Sequence, residues 1–76
     1  MEKELINHPQ HYAHGDIECI DAMIAAKGIE KVMAFCELSV FKYNWRLGHK
    51  DDGVQEMSKM RWYVDKWMEL NKTRNA

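Results

Sequence analysis

Three stretches of the chain place apolar residues at helical spacing. Ile17, Ile20, Met23 and Ile24 recur every three or four positions, and the pattern stops at Lys27-Gly28. That spacing predicts a first helix from Ile17 to about Lys27, with Asp16 as its cap and Gly28 as its stop. A second helix is predicted from about Ile29 to Leu47, where Val32, Phe35, Cys36, Val40, Tyr43 and Leu47 make one stripe before Gly48. Met33, Leu38, Phe41 and Trp45 widen the stripe. A helix apolar around most of its circumference is either central or shared with another subunit. The third helix, from Gly53 or Val54 to Asn71, carries Met57, Met60, Val64, Trp67 and Met68 on one face.

No alternating strand pattern recurs, and no Ser/Gly linker, internal repeat or low-complexity tract divides the chain. The expectation is an all-α fold: a small helical domain of about three helices, one domain over residues 1–76. The helical part, 16–76, follows an irregular arm at 1–15. The arm lacks periodicity and contains Pro9, the chain's single proline, which pushes His8 toward extended conformations.

Composition changes this picture in one respect. The chain has 76 residues, 46% of them aliphatic, aromatic or sulfur-bearing, including three Trp and six Met. A monomer of that size buries only about 60% of the surface its unfolded chain exposes. More apolar surface is present than one small core needs, so a homo-oligomer is expected. Cys19 and Cys36 are the two cysteines; both lie in apolar helical patterns and read as reduced, buried thiols of a cytoplasmic protein. The start "MEKELINHPQ" has no apolar h-region and no run is long enough to span a membrane, so no membrane partner is expected.

Charge points elsewhere. The net charge of −1 argues against a duplex nucleic-acid binder that works by neutralising phosphates. Residues 1–41 nevertheless hold three Lys and seven acids, whereas residues 42–76 hold eight Lys or Arg and five acids. One end of the chain can therefore meet an anion, although solvated helices often show such blocks.

Four groups of residues are candidates for chemistry. "GHKDDG", Gly48 to Gly53, fits the glycine spacing of a phosphate loop, but it follows a helix, carries two acids and lacks the Lys-Ser/Thr that completes the motif. An ordinary helix-to-helix turn accounts for it. The arm offers His8, His11 and His14 with Asp16, Glu18 and Cys19 nearby, yet that spacing matches no closed metal site, so no metal is expected. Nucleophilic catalysis needs a Cys or Ser beside a positioned base, and none is evident. Glu18 and Asp21 sit where the helix dipole favours acids. The stretch "SVFKYNWRLGHK" is the most informative: Lys42 and Arg46 share a helix face, Tyr43 flanks them, and Lys50 follows the Gly48 turn. Cations at a helix C-terminus are stabilising in themselves. The same residues can also grip an anion, with a guanidinium on phosphate and an aromatic face under a base. Both accounts are sufficient on physical grounds alone.

Taken in order, "HPQHY", "IECIDAM", "KYNWRLGHK" and "RWYVDK" resemble a short domain family of tailed phages, catalogued as a domain of unknown function and present within a phage nucleotide kinase. The resemblance runs from about His8 to Lys66. Its His-Pro-x-His-Tyr motif falls on His8, Pro9, His11 and Tyr12, and its Ile-Glu-Cys motif on Ile17, Glu18 and Cys19. Its Lys-Tyr-x-x-Arg-x-Gly-x-Lys motif falls on Lys42, Tyr43, Arg46, Gly48 and Lys50, and its Trp-Tyr pair on Trp62 and Tyr63. Three positions depart: Leu38-Ser39 stands where the family usually has Gly-Asn, and Met60 where it tends to have Ala. The resemblance implies a phage protein that handles nucleotides in the cytoplasm of an infected cell. The expected ligand site joins His11, Tyr12, Lys42, Tyr43, Arg46, Lys50 and Tyr63, with His8, Glu18 and Trp62 behind them; no catalytic residue and no cofactor are expected. The function expected is capture of a nucleotide or a nucleotide-derived immune signal. A nucleoside monophosphate kinase and a module that docks on a host protein are the alternatives.

Overall fold

The computed structural model describes residues 13–14, 17–49 and 51–76. It has a two-residue antiparallel ribbon followed by three helices. β1 (Ala13–His14) and β2 (Ile17–Glu18) pair as Ala13 with Glu18 and His14 with Ile17. The helices are α1 (Cys19–Lys27), α2 (Ile29–Arg46) and α3 (Val54–Arg74). This is a small all-α domain, the ribbon being too short to form a layer. Of the predicted arm, residues 1–15, only Ala13 and His14 fall within the described residues; His8, His11 and Tyr12 lie outside them.

The first helix starts two residues later than its spacing predicts, because Ile17 and Glu18 are engaged by β1. Glu18, with extended backbone, holds the cap position; Asp16, the expected cap, lies outside the described residues. A single residue, Gly28, joins α1 to α2. Its φ of 94° and ψ of 157° belong to a region that only glycine occupies readily. Its N–H donates to the Ile24 carbonyl at 2.8 Å, closing α1 while the chain reverses.

α2 and α3 form an antiparallel hairpin, and their shared face is the core. Ile20 of α1, Val32, Met33 and Cys36 of α2, and Leu70 of α3 are buried together, with Met23, Ile24, Ile29, Trp62, Tyr63 and Trp67 packed around them. Ser39 is buried on the same face of α2. The turn between the two helices needs Gly53: its φ is 83°, and a Cβ there would stand 2.6 Å from Leu47 Cδ1. At the far end Arg74 Nη1 lies 2.9 Å from Glu30 Oε1, tying the last turn of α3 to the first turn of α2. Basic Lys72 and Arg74 favour the helix C-terminus, and with this tie they carry α3 one turn past the predicted stop at Asn71.

Two parts of the sequence pattern turn outward. On α2, Leu38, Phe41 and Trp45, which the pattern assigns to a widened stripe, are exposed, Trp45 at 72%, and Leu47 is at the surface as well. On α3, Met57, Val64 and Met68 are exposed; of the predicted face Trp67 does pack on the core, in a row with half-buried Tyr63 and buried Leu70 at i, i+4 and i+7. The two large aromatics set the rotation of α3, because they cover more of the α2 face than methionines at neighbouring angles.

The cysteines separate in the same way. Cys36 is fully buried as expected, but Cys19 is exposed, since α1 buries only the neighbouring Ile20. Burial pushes the Cys36 thiol above its ordinary range; Glu37 adds to the rise, and Lys66 opposes it. Native protein should therefore react at one thiol per chain with an aromatic disulfide reagent, the second reacting only after denaturation. A folded-state thiol held protonated stabilises the fold below the ordinary thiol range, and that contribution is lost as pH rises through the folded value. Urea midpoints should thus fall above about pH 9, and should do so less in Cys36→Ala.

Candidate functional site

The hairpin has two lateral sides, and they differ in chemistry. On one side the final turns of α2 meet the first turns of α3, because the connecting turn is short and the helices run antiparallel. Tyr43, one row along from Cys36 and Ser39, is half-buried there. Tyr63 reaches it from α3: the two rings stack with centroids 6.0 Å apart and planes inclined by 18°. Phe35 and Trp62 set their edges against Tyr63 at 5.6 Å and 4.9 Å, inclined by 85° and 82°. Four aromatic rings thus hold one another in fixed orientation, as offset and edge-on packing favours.

Cations surround this cluster. Lys42 Nζ, Lys59 Nζ and Arg46 Cζ lie 4.8, 5.2 and 5.6 Å from the centroid of the Tyr43 ring. Lys66 Nζ lies 5.8 Å from the Trp62 ring and 3.1 Å from Glu69 Oε1. Attraction between a cation and an exposed ring contributes only about 0.5–1 kcal/mol. Glu56 stands one turn before Lys59 on α3. Its Oε1 is buried with no hydrogen-bond partner among the described residues, leaving an acceptor for a donor.

Five of the residues singled out in the sequence come together here: Lys42, Tyr43, Arg46, Trp62 and Tyr63. Glu18 is half-buried at the start of α1. His8, His11, Tyr12 and Lys50 lie outside the described residues, and among the described residues no group of three His, Cys, Asp or Glu could hold a metal. Lys59 was missed. The signal was present, since Lys59 precedes Tyr63 by four residues and therefore shares its face, but α3 was read from its methionines.

The turn that imitates a phosphate loop has its amides occupied. Asp51 Oδ1 accepts from the Gly53 N–H at 2.9 Å, and Asp52 Oδ1 from the Val54 N–H at 3.1 Å. These two carboxylates occupy the Gly53 and Val54 amides where a phosphate loop would present free donors.

The opposite side of the hairpin is apolar. A groove lined by Cys36, Glu37, Val40, Val64 and Trp67 runs between the helices, and Trp67 Nε1 donates to Glu37 Oε2 at 2.9 Å across it. Among the described residues no helix is long and apolar enough to cross a membrane.

A family model described as a protein of unknown function, DUF3310, matches residues 6–65. No curated protein and no solved structure matches the chain.

Proposed function

The chain belongs to the DUF3310 family, and we propose that this member is a binding protein that captures a nucleotide or a nucleotide-derived signal. The observation that carries the reading is the Tyr43 ring, stacked on Tyr63 and surrounded by Lys42, Arg46 and Lys59. Stacked aromatics supply π-faces for a base, and the adjoining cations take phosphate, whose bonds to a guanidinium can be bidentate. His11, Tyr12 and Lys50 complete the site in this proposal, with His8 and Glu18 behind them. The resemblance to a tailed-phage domain supplies a setting, in which the protein removes a host immune messenger from the cytoplasm of an infected cell. Transfer of phosphate is disfavoured, because the amides of the Gly53 turn are held by Asp51 and Asp52. The test is calorimetry with a panel of mono-, di- and cyclic nucleotides, together with incubation of ATP and nucleoside monophosphates. Binding without diphosphate formation is expected. Failure of every nucleotide to bind at millimolar concentration would transfer the role to docking on a host protein.

The apolar side supports a homo-oligomer as part of the same proposal. Leu38, Phe41 and Trp45 of α2 and Met57, Val64 and Met68 of α3 are exposed, and Phe41 and Trp45 stack at 6.2 Å. So much aromatic surface on so small a domain is characteristic of a contact. Light scattering at micromolar concentration should give a mass above that of the 9.0 kDa chain, and Trp45→Lys should return it to the monomer. A wild-type monomer would refute the oligomer and leave the cationic face unaffected.

A further inference from the structure

The basic side chains of α2 and α3 are not equally held. Arg74 is held by Glu30 and by Asn71, whose Oδ1 accepts from Nη2 at 2.6 Å, and Lys66 is held by Glu69. Lys42, Arg46 and Lys59 make no hydrogen bond or ion pair with any described residue. Their charges converge from two helices on one ring. Measured through that ring, Arg46 and Lys59 stand within about 11 Å of each other, a separation at which salt screens most of their direct repulsion while a single extended anion can still reach both.

The balance of charge selects among anions. A terminal monophosphate carries about 1.5 to 2 negative charges at pH 7, which is too little for three cations. Linked phosphates carry enough for all three and extend far enough to touch both helices. Resting on the nucleotide reading above, we infer that the ligand of this face bears a linked di- or triphosphate, and that Lys59 of α3 is a binding residue, closing on the phosphates opposite Lys42 and Arg46 of α2. The ring cluster of Tyr43 and Tyr63 then carries the nucleoside.

The experiment compares AMP, ADP and ATP, and in parallel inorganic phosphate, pyrophosphate and tripolyphosphate, by calorimetry in metal-free buffer. Wild type, Lys59→Gln and Lys72→Gln are used; Lys72 is an exposed lysine in the last turn of α3, so its loss makes the same change in net charge away from the site. Affinity should rise from AMP to ATP and from phosphate to tripolyphosphate. Lys59→Gln should weaken ATP about tenfold and AMP by less than about twofold, and Lys72→Gln should weaken neither by more than about twofold. Equal affinity for AMP and ATP in wild type would overturn the inference while leaving nucleotide capture intact. So would an equal loss from Lys72→Gln and Lys59→Gln, which would mark the preference as general attraction to polyanions. Absence of binding by all six probes while the wider nucleotide panel still binds would overturn this inference alone; absence of binding across the wider panel as well would remove the nucleotide reading with it.

Discussion

Leu70→Ala should unfold much of this protein under conditions where Met68→Ala leaves it folded. Leu70 is 4% exposed at the centre of the core, against Val32, Met33 and Cys36, whereas Met68, two residues earlier, is 59% exposed. Truncating a buried leucine costs about 2–5 kcal/mol, through lost burial and the cavity left behind. A domain of this length has a total stability of roughly 4–11 kcal/mol. Each kcal/mol shifts the melting temperature of so small a domain by about 4–8 °C, so the loss at Leu70 should exceed about 10 °C. Met68→Ala should cost less than about 0.5 kcal/mol in dilute solution. Any further loss at Met68 should grow with protein concentration, because an exposed side chain adds stability only through a contact between subunits. Urea unfolding of both variants at two concentrations checks each part. If Met68→Ala costs as much as Leu70→Ala in dilute solution, α3 faces its partner with the methionine row instead.

That contrast also marks where the sequence was legible. Three glycines, Gly28, Gly48 and Gly53, mark the helix boundaries, since each takes a positive φ that disfavours other residues. α2 was therefore placed to within one residue of its end. Rotation of a helix is harder to read when apolar residues cover most of its circumference. On α3, Trp67 satisfies helical spacing both with the methionines and with Tyr63 and Leu70, and only the fit to α2 decides which neighbours turn inward with it. The same competition hid Lys59, which belongs to the aromatic row, and turned Leu38, Phe41 and Trp45 outward. Cys19 was misplaced because α1 buries only Ile20, so an apolar pattern there does not imply a buried neighbour. The ribbon of Ala13–His14 with Ile17–Glu18 spans two residues per strand, too few for alternation to register. Of the candidate site, the α2 half was explicit in "KYNWR", where spacing along one helix decides proximity. The α3 half depended on packing between helices, which no local pattern encodes.

Arg46→Ala should weaken nucleotide binding by roughly tenfold to a hundredfold while the fold persists. Arg46 is the last residue of α2, exposed, with its guanidinium carbon 5.6 Å from the Tyr43 centroid. Its structural contribution is the interaction of a cation with the helix C-terminus, about 0.3–1 kcal/mol, and a weak attraction to the ring. Neither is large enough to unfold the hairpin, so helicity by circular dichroism should be unchanged. A charge-assisted bond from guanidinium to phosphate contributes about 1.5–3 kcal/mol, which sets the expected loss. Arg46→Lys separates charge from shape: an ammonium keeps the attraction and loses the bidentate fork, so its affinity should fall between those of wild type and Arg46→Ala. His11→Ala should also lose affinity, since His11 belongs to the proposed site. Salt provides an independent reading, because removing one phosphate contact should flatten the dependence of binding on ionic strength. Equal binding by wild type and Arg46→Ala, or a salt dependence unchanged by the substitution, would reduce the "KYNWR" cluster to a helix terminus and leave the exposed aromatic face as the functional surface.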